Sequence, residues 1–191
     1  NPCIDYVVRG PSFHAGTGTR SEFEDVIPRG KGINVSIVLK NLGVANTALG
    51  FTAGFTGREI ERAMEEIGCK TDFIRVKSGM SRINIKLKAQ VETEINGRGP
   101  IITEKDLQRL YERLSPLKQG DVLVLAGSIP DTLPSDLYES ILKRMQGQGV
   151  SFVVDATRDL LKNVLKYHPF LIKPNHHELG ELFGATVRGK E

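Results

Sequence analysis

The chain has 191 residues, 39% hydrophobic and 26% charged, the balance of a folded domain and not of a disordered segment or a bundle of membrane spans. Twenty-six basic against twenty-three acidic residues leave a net charge of +3, too small a surplus for a nucleic-acid protein but suited to a pocket for small anions. Collagen, coiled coil and secreted disulfide scaffold are excluded, and the two distant cysteines, Cys3 and Cys69, read as reduced thiols of a cytoplasmic protein.

Apolar spacing gives the elements in order. A strand is expected over 6–8 and, after a polar, glycine-rich stretch to Arg20, another over 22–27. Val35, Val38, Leu39 and Leu42 predict a helix over 33–42 that Gly43 ends. A strand over 47–51 and a helix over 58–67 follow. Over 82–89, Ile83, Ile85 and Leu87 alternate with Asn84, Lys86 and Lys88, the pattern of a strand with one wet face, and 92–95 is expected to pair with it. Thr103, three residues before Asp106, opens a helix carrying Leu107, Leu110, Tyr111 and Leu114.

From 121 onward the pattern becomes regular. Apolar runs at 122–126, 152–155 and 170–172 predict strands buried on both faces. Helices are expected at 134–145, around Leu160 to Leu165, and at 176–183. This alternation implies βαβ crossovers and a mostly parallel, doubly wound α/β sheet with helices on both faces. The alternating strands near 6–8, 22–27, 82–89 and 92–95 would form a small antiparallel β lid over its carboxyl edge, a place to enclose a small ligand.

Several stretches carry chemistry. In Pro28-Arg29-Gly30-Lys31-Gly32-Ile33-Asn34, glycines before a helix admit a close ligand, the helix start offers N–H groups to anions, and Lys31 adds a charge; an ordinary turn with a solvated lysine fits equally. Gly127 and Ser128 follow a strand's carboxyl end, where α/β folds meet substrates, and Asp155 ends the next strand, as a helix cap or as a site residue. Asn175 and Glu178 read either as a capping box or as ligands of a hydrated Mg²⁺, which needs only one or two carboxylates. Adjacent His176 and His177 diverge on a helix and read as surface residues.

Six pieces in register resemble the ribokinase-like (PfkB-type) sugar kinases: residues 1–5, 28–34, 81–86, 94–100, 126–130 and 173–178. The resemblance implies one ribokinase-like kinase domain over 1–191, incomplete at its C-terminal end. It also implies phosphoryl transfer from MgATP to a sugar phosphate, most closely to the C6 hydroxyl of D-fructose 1-phosphate. Carried over by position, Asp5, Gly30, Lys31, Gly32, Asn34, Arg82, Gly127 and Ser128 would bind the sugar phosphate. Lys31 and Arg82 would take its phosphate. Lys173, Asn175 and Glu178 would face ATP, with Glu178, Asn175 and Asp155 toward Mg²⁺. A homodimer through the lid is the family analogy, with no nucleic acid or membrane as partner. Other kinases of the fold, acting on tagatose 6-phosphate or fructose 6-phosphate, and a non-enzymatic sugar-phosphate-binding protein are the alternatives.

Two departures stand out. Arg29 replaces the first glycine of the family's Pro-Gly-Gly-Lys-Gly, which would strain the backbone or crowd the sugar if that position needs a positive φ. The family's Gly-Ala-Gly-Asp segment, which supplies the catalytic base, would lie beyond residue 191. The chain begins without Met and closes at 187–191 without a capping element, so it reads as a portion of a longer protein, inactive by itself. No basic-then-apolar leader opens it.

Overall fold

A computed structural model describes residues 1–156 and 158–185; the ending at 187–191 lies outside the described residues. The chain divides into two compact units, Asn1–Ile102 and the part from Thr103 on.

The first unit holds β1 (Cys3–Arg9), β2 (Phe23–Arg29), α1 (Lys31–Asn41), β3 (Thr47–Ala48), β4 (Phe51–Ala53), α2 (Gly54–Ile67), β5 (Lys70–Thr71), β6 (Ile74–Val76), β7 (Arg82–Lys88) and β8 (Thr93–Asn96). The four longer strands form one sheet in the order β2-β1-β7-β8, and β3-β5 and β4-β6 are short parallel ladders. The expected antiparallel lid is corrected in its centre. β1 runs antiparallel to β2 but parallel to β7, and β7 antiparallel to β8. Between β2 and β7 the chain passes through α1, α2 and four short strands, a crossover long enough to return it to the end of the sheet where β1 began.

Residues paired directly across a sheet share a face. Cys3 pairs with Arg82, Asp5 with Asn84 and Asn84 with Asn96, so these line one side. Ile4 pairs with Ile83, Tyr6 with Ile85 and with Val26, and Ile85 with Ile95, so an apolar row lines the other. At its inner end that row joins the core: Ile4, Ile33, Ala48, Ile60, Met64 and Cys69 pack together, with Ile37, Ile67 and Phe73 against them. Helix α1 buries Ile33 and Ser36, while Val38 and Leu42 of the expected apolar stripe are exposed. At its start, a Cβ on Gly30 would lie 3.5 Å from the Asn1 carbonyl oxygen and from the Pro2 Cα.

The polar side was expected to be wet. Instead Asn84 is only 6% exposed and Asp5 8%, whereas Val26 and Ile95 on the apolar side stand more than half exposed. Mutual hydrogen bonding among the polar groups is what makes their burial tolerable.

The second unit runs α3 (Glu104–Leu114), β9 (Val122–Ala126), α4 (Leu137–Met145), β10 (Ser151–Asp155), α5 (Arg158–Leu165), β11 (Leu171–Ile172) and α6 (His176–Phe183). Its three strands are parallel in the order β11-β10-β9, as strand–helix–strand crossovers dictate. Thr103 caps α3 in a reciprocal box with Asp106. Helix α4 buries Leu137, Tyr138, Ile141, Leu142 and Met145 and packs beside α5. The strands are less buried than their apolar runs predict: Leu125 is the buried residue of β9, and Phe170 and Leu171 are exposed. β9 and β11 are the two edges of this three-stranded order.

Candidate functional site

The residues of the first unit expected to bind a sugar phosphate gather at one end of the four-stranded sheet. Arg29 pairs with Cys3 and Cys3 with Arg82, so the Arg29 and Arg82 backbones lie two strand spacings apart, roughly 10 Å. Lys31 opens α1 two residues after Arg29. Gly30, at φ 132°, makes the turn from strand to helix, a conformation costly for any side-chain-bearing residue. Arg29 itself belongs to β2 and has no positive φ, so the replaced glycine strains nothing there, and its side chain is exposed. Gly32 lies inside α1, with open space where a Cβ would stand, and Asn34 is exposed on the same helix.

Asp5 is the centre of a buried network. The Asn84 side-chain amide donates to its Oδ1 at 3.0 Å and to Cys3 Sγ at 3.3 Å, and the Cys3 thiol lies 3.7 Å from the same carboxylate oxygen. The Lys86 ammonium stands 3.7 Å from Asp5 Oδ2 and 2.6 Å from Glu94. The hydrogen bond to Glu94, with the charge of Asp5 assisting, raises the Lys86 pKa, so its charge is firmly held. Burial pushes the Cys3 thiol up, against the pull of the Arg82 cation, and keeps it neutral. Arg82 Nε and Asn84 Oδ1 are buried without a hydrogen-bond partner among the described residues. Sequence reasoning missed Cys3, Asn84 and Lys86. The available signal was the period-two spacing from Arg82, which sets Asn84 and Lys86 on the same face as the arginine.

A second cluster lies in the second unit, at the carboxyl ends of its parallel strands, where α/β sheets place their ligands. Gly127 follows β9, and its N–H donates to the carbonyl of Asp155, the last residue of β10. The N–H of Lys173, just past β11, donates to the carbonyl of Val154, and its ammonium lies 3.3 Å from Asp155 Oδ2. Tyr138 was also missed: its hydroxyl donates to the Gly127 carbonyl at 3.1 Å, and burial together with the charge of Asp155 drives its pKa up. Ser128 is exposed beside Gly127.

Asn175 and Glu178 form the reciprocal capping box: Glu178 N–H donates to Asn175 Oδ1 at 2.9 Å and Asn175 N–H to Glu178 Oε2 at 2.8 Å. His176 and His177 are exposed, their rings 3.9 Å apart between centroids. Amide and carboxylate oxygens are hard donors of the kind a hydrated magnesium ion takes. Among the described residues no three His, Cys, Asp or Glu side chains cluster as a protein cage would require. The ion pair with Lys173 reduces the negative charge Asp155 could offer a cation.

Residues 10–190 match the model of the pfkB family carbohydrate kinases. A 1-phosphofructokinase of Bacillus subtilis is 46% identical over 191 residues, all of this chain and 63% of that protein. A D-tagatose-1-phosphate kinase of Bacillus licheniformis is 39% identical over 183 residues, 96% of this chain and 60% of that protein. The chain thus spans about three fifths of the length of these relatives. The crystal structure of phosphofructokinase-2 from Escherichia coli in complex with substrates and products shares the fold, with TM-score 0.90 over 98% of this chain and 62% of that one, at 23% identity. No helix among the described residues is long and apolar enough to cross a membrane. With the match covering nearly its whole length, the chain belongs to the pfkB family of carbohydrate kinases.

Proposed function

We propose that the protein carrying these residues is a cytoplasmic kinase that transfers a phosphoryl group from MgATP to the C6 hydroxyl of D-fructose 1-phosphate. The observation that carries this reading is the placement of Asp5 and Arg82 on one face of the sheet, with Lys31 at the adjoining helix start. A carboxylate that accepts from sugar hydroxyls beside two cationic residues is a recognition pattern for a phosphorylated polyol. The 46% identity to a 1-phosphofructokinase supports the choice of sugar.

In this mechanism Asp5 orients the sugar through its hydroxyls. Arg82 and Lys31 hold the substrate's own phosphate, the guanidinium with two parallel bonds. Gly30, Gly32 and Asn34 bring backbone and amide to the sugar. Lys173 neutralises triphosphate charge; Asn175 and Glu178, with Asp155, would hold Mg²⁺, which would supply further neutralisation of the phosphate charge. The proton-accepting base is taken to lie in a Gly-Ala-Gly-Asp segment outside these 191 residues. Such a division is sufficient because phosphoryl transfer depends on alignment and charge neutralisation. A homodimer through the four-stranded sheet is part of the same proposal.

The test is a side-by-side rate measurement on the full-length protein with MgATP and fructose 1-phosphate, tagatose 1-phosphate, tagatose 6-phosphate and fructose 6-phosphate. A kcat/KM for fructose 1-phosphate about tenfold or more above the others is expected, the span a few well-placed polar contacts supply. A preference for a tagatose phosphate would favour the second reading, which the 39% identity to a D-tagatose-1-phosphate kinase supports. Sugar-phosphate binding without turnover would make the protein a sensor.

A further inference from the structure

We propose that Asn84 is a specificity-determining residue whose side-chain carbonyl oxygen accepts a hydrogen bond from a hydroxyl of the sugar phosphate that Arg82 grips; this rests on the substrate reading above. The amide is buried, and its nitrogen is committed to Asp5 Oδ1 and to Cys3 Sγ. Those two bonds fix which way the amide points, since turning it over would set its oxygen against a carboxylate oxygen, acceptor against acceptor. The carbonyl oxygen accepts nothing among the described residues and is closed to water. A buried acceptor left unpaired costs about 1–3 kcal/mol, so its presence calls for a partner.

That partner has to be a donor. A phosphate or carboxylate oxygen is thereby excluded, and the ammonium of Lys86, two residues on along the same face, is engaged by Glu94 and Asp5. A hydroxyl satisfies the requirement. Two residues earlier on the same face, Arg82 Nε is a buried donor without an acceptor. The i, i+2 spacing separates the two backbones by roughly 7 Å, about the reach from a phosphoryl group across a sugar ring. A ligand with an anionic oxygen at one end and a hydroxyl a ring's width away completes both atoms at once. Reaching them requires a neighbouring side chain to swing aside.

The experiment is calorimetric binding to the full-length protein of fructose 1-phosphate and its analogues lacking one hydroxyl, at C2, C3 or C4, before and after Asn84→Ala. One analogue is expected to bind about 10- to 100-fold more weakly than fructose 1-phosphate to the unmodified protein, and to show no such penalty in the variant. An equal penalty in both proteins, or a uniform weakening of all ligands by Asn84→Ala, overturns the proposal and leaves Asn84 as a support for Asp5. If the unmodified protein does not bind fructose 1-phosphate at all, the substrate reading fails and the inference fails with it, a result distinct from binding without coupling. Should Asn84→Ala not fold, a structure of the unmodified protein with fructose 1-phosphate decides. Asn84 Oδ1 within about 3.2 Å of a sugar hydroxyl supports the proposal, and beyond about 4 Å overturns it.

Discussion

Asn84 donates to one oxygen of Asp5 at 3.0 Å while Lys86 stands 3.7 Å from the other, so the carboxylate is held from two sides by residues of the neighbouring parallel strand. Asp5→Ala removes the shared acceptor. Stability is expected to fall by about 1–3 kcal/mol as the Asn84 amide loses its partner. On the proposed function, KM for the sugar phosphate in the full-length protein is expected to rise about tenfold or more, with KM for ATP unchanged. Urea unfolding and initial rates read the two effects separately.

Arg82→Lys keeps the charge but replaces a planar fork by a point charge. Loss of one charge-assisted hydrogen bond, about 1.5–3 kcal/mol, corresponds to a rise in KM for fructose 1-phosphate of roughly 10- to 100-fold. The same substitution is expected to leave binding of unphosphorylated fructose unaltered. Equal losses for both ligands would place Arg82 away from the phosphate.

The two glycines flanking Lys31 should respond oppositely in stability. Gly30 sits at φ 132°, and Gly30→Ala is expected to cost about 1–3 kcal/mol. Gly32 has helical neighbours and open space, so Gly32→Ala is expected to gain up to about 1 kcal/mol from helix propensity. If sugar approaches that backbone, Gly32→Ala nevertheless raises KM for fructose 1-phosphate. Thermal melts with parallel kinetics would separate the effects, and an unchanged KM would remove Gly32 from the site.

Asp106 supplies a pH dependence. Burial pushes its carboxyl up, but the hydroxyl and N–H of Thr103 and the Arg109 guanidinium together outweigh it, and its pKa is lowered in the folded chain. A depressed folded value means stability that is present above the unfolded pKa of about 3.9 and lost as pH falls through the folded value. Thr103→Ala is therefore expected to cost about 1 kcal/mol at pH 7 and progressively less below about pH 4. Denaturant midpoints across that range test it; a pH-independent difference would contradict the linkage.

Tyr138→Phe removes the hydroxyl that donates to the Gly127 carbonyl. A loss of about 0.5–1.5 kcal/mol is expected, since the carbonyl at the end of β9 loses one neutral partner while packing is kept. Urea unfolding measures it, and a neutral result would mean that water replaces the bond.

Much of the architecture was readable from spacing alone. The run at 122–126 and the stripe Leu137, Ile141, Leu142 and Met145 announced strand and helix because each element must bury a face of fixed period. The Thr103 and Asn175 capping boxes were likewise local, since their bonds span three residues. Whether Arg29 strains the backbone was not legible, for the same reason in reverse. Which residue of a Pro-Arg-Gly-Lys-Gly turn carries the positive φ depends on where β2 ends, and that is decided by its pairing with β1.

By itself, then, the amino-acid order determined the longer strands and helices and the family, which rest on short-range periodicity and ordered motifs, but not the short strands β5 and β6, whose two and three residues are too few to show a period. Only the tertiary structure decided that β7 lies parallel to β1 and so brings Asn84, 79 residues away in the chain, against Asp5. Sheet register joins residues across long loops through backbone hydrogen bonds, and those bonds leave no mark on the side-chain pattern of either strand.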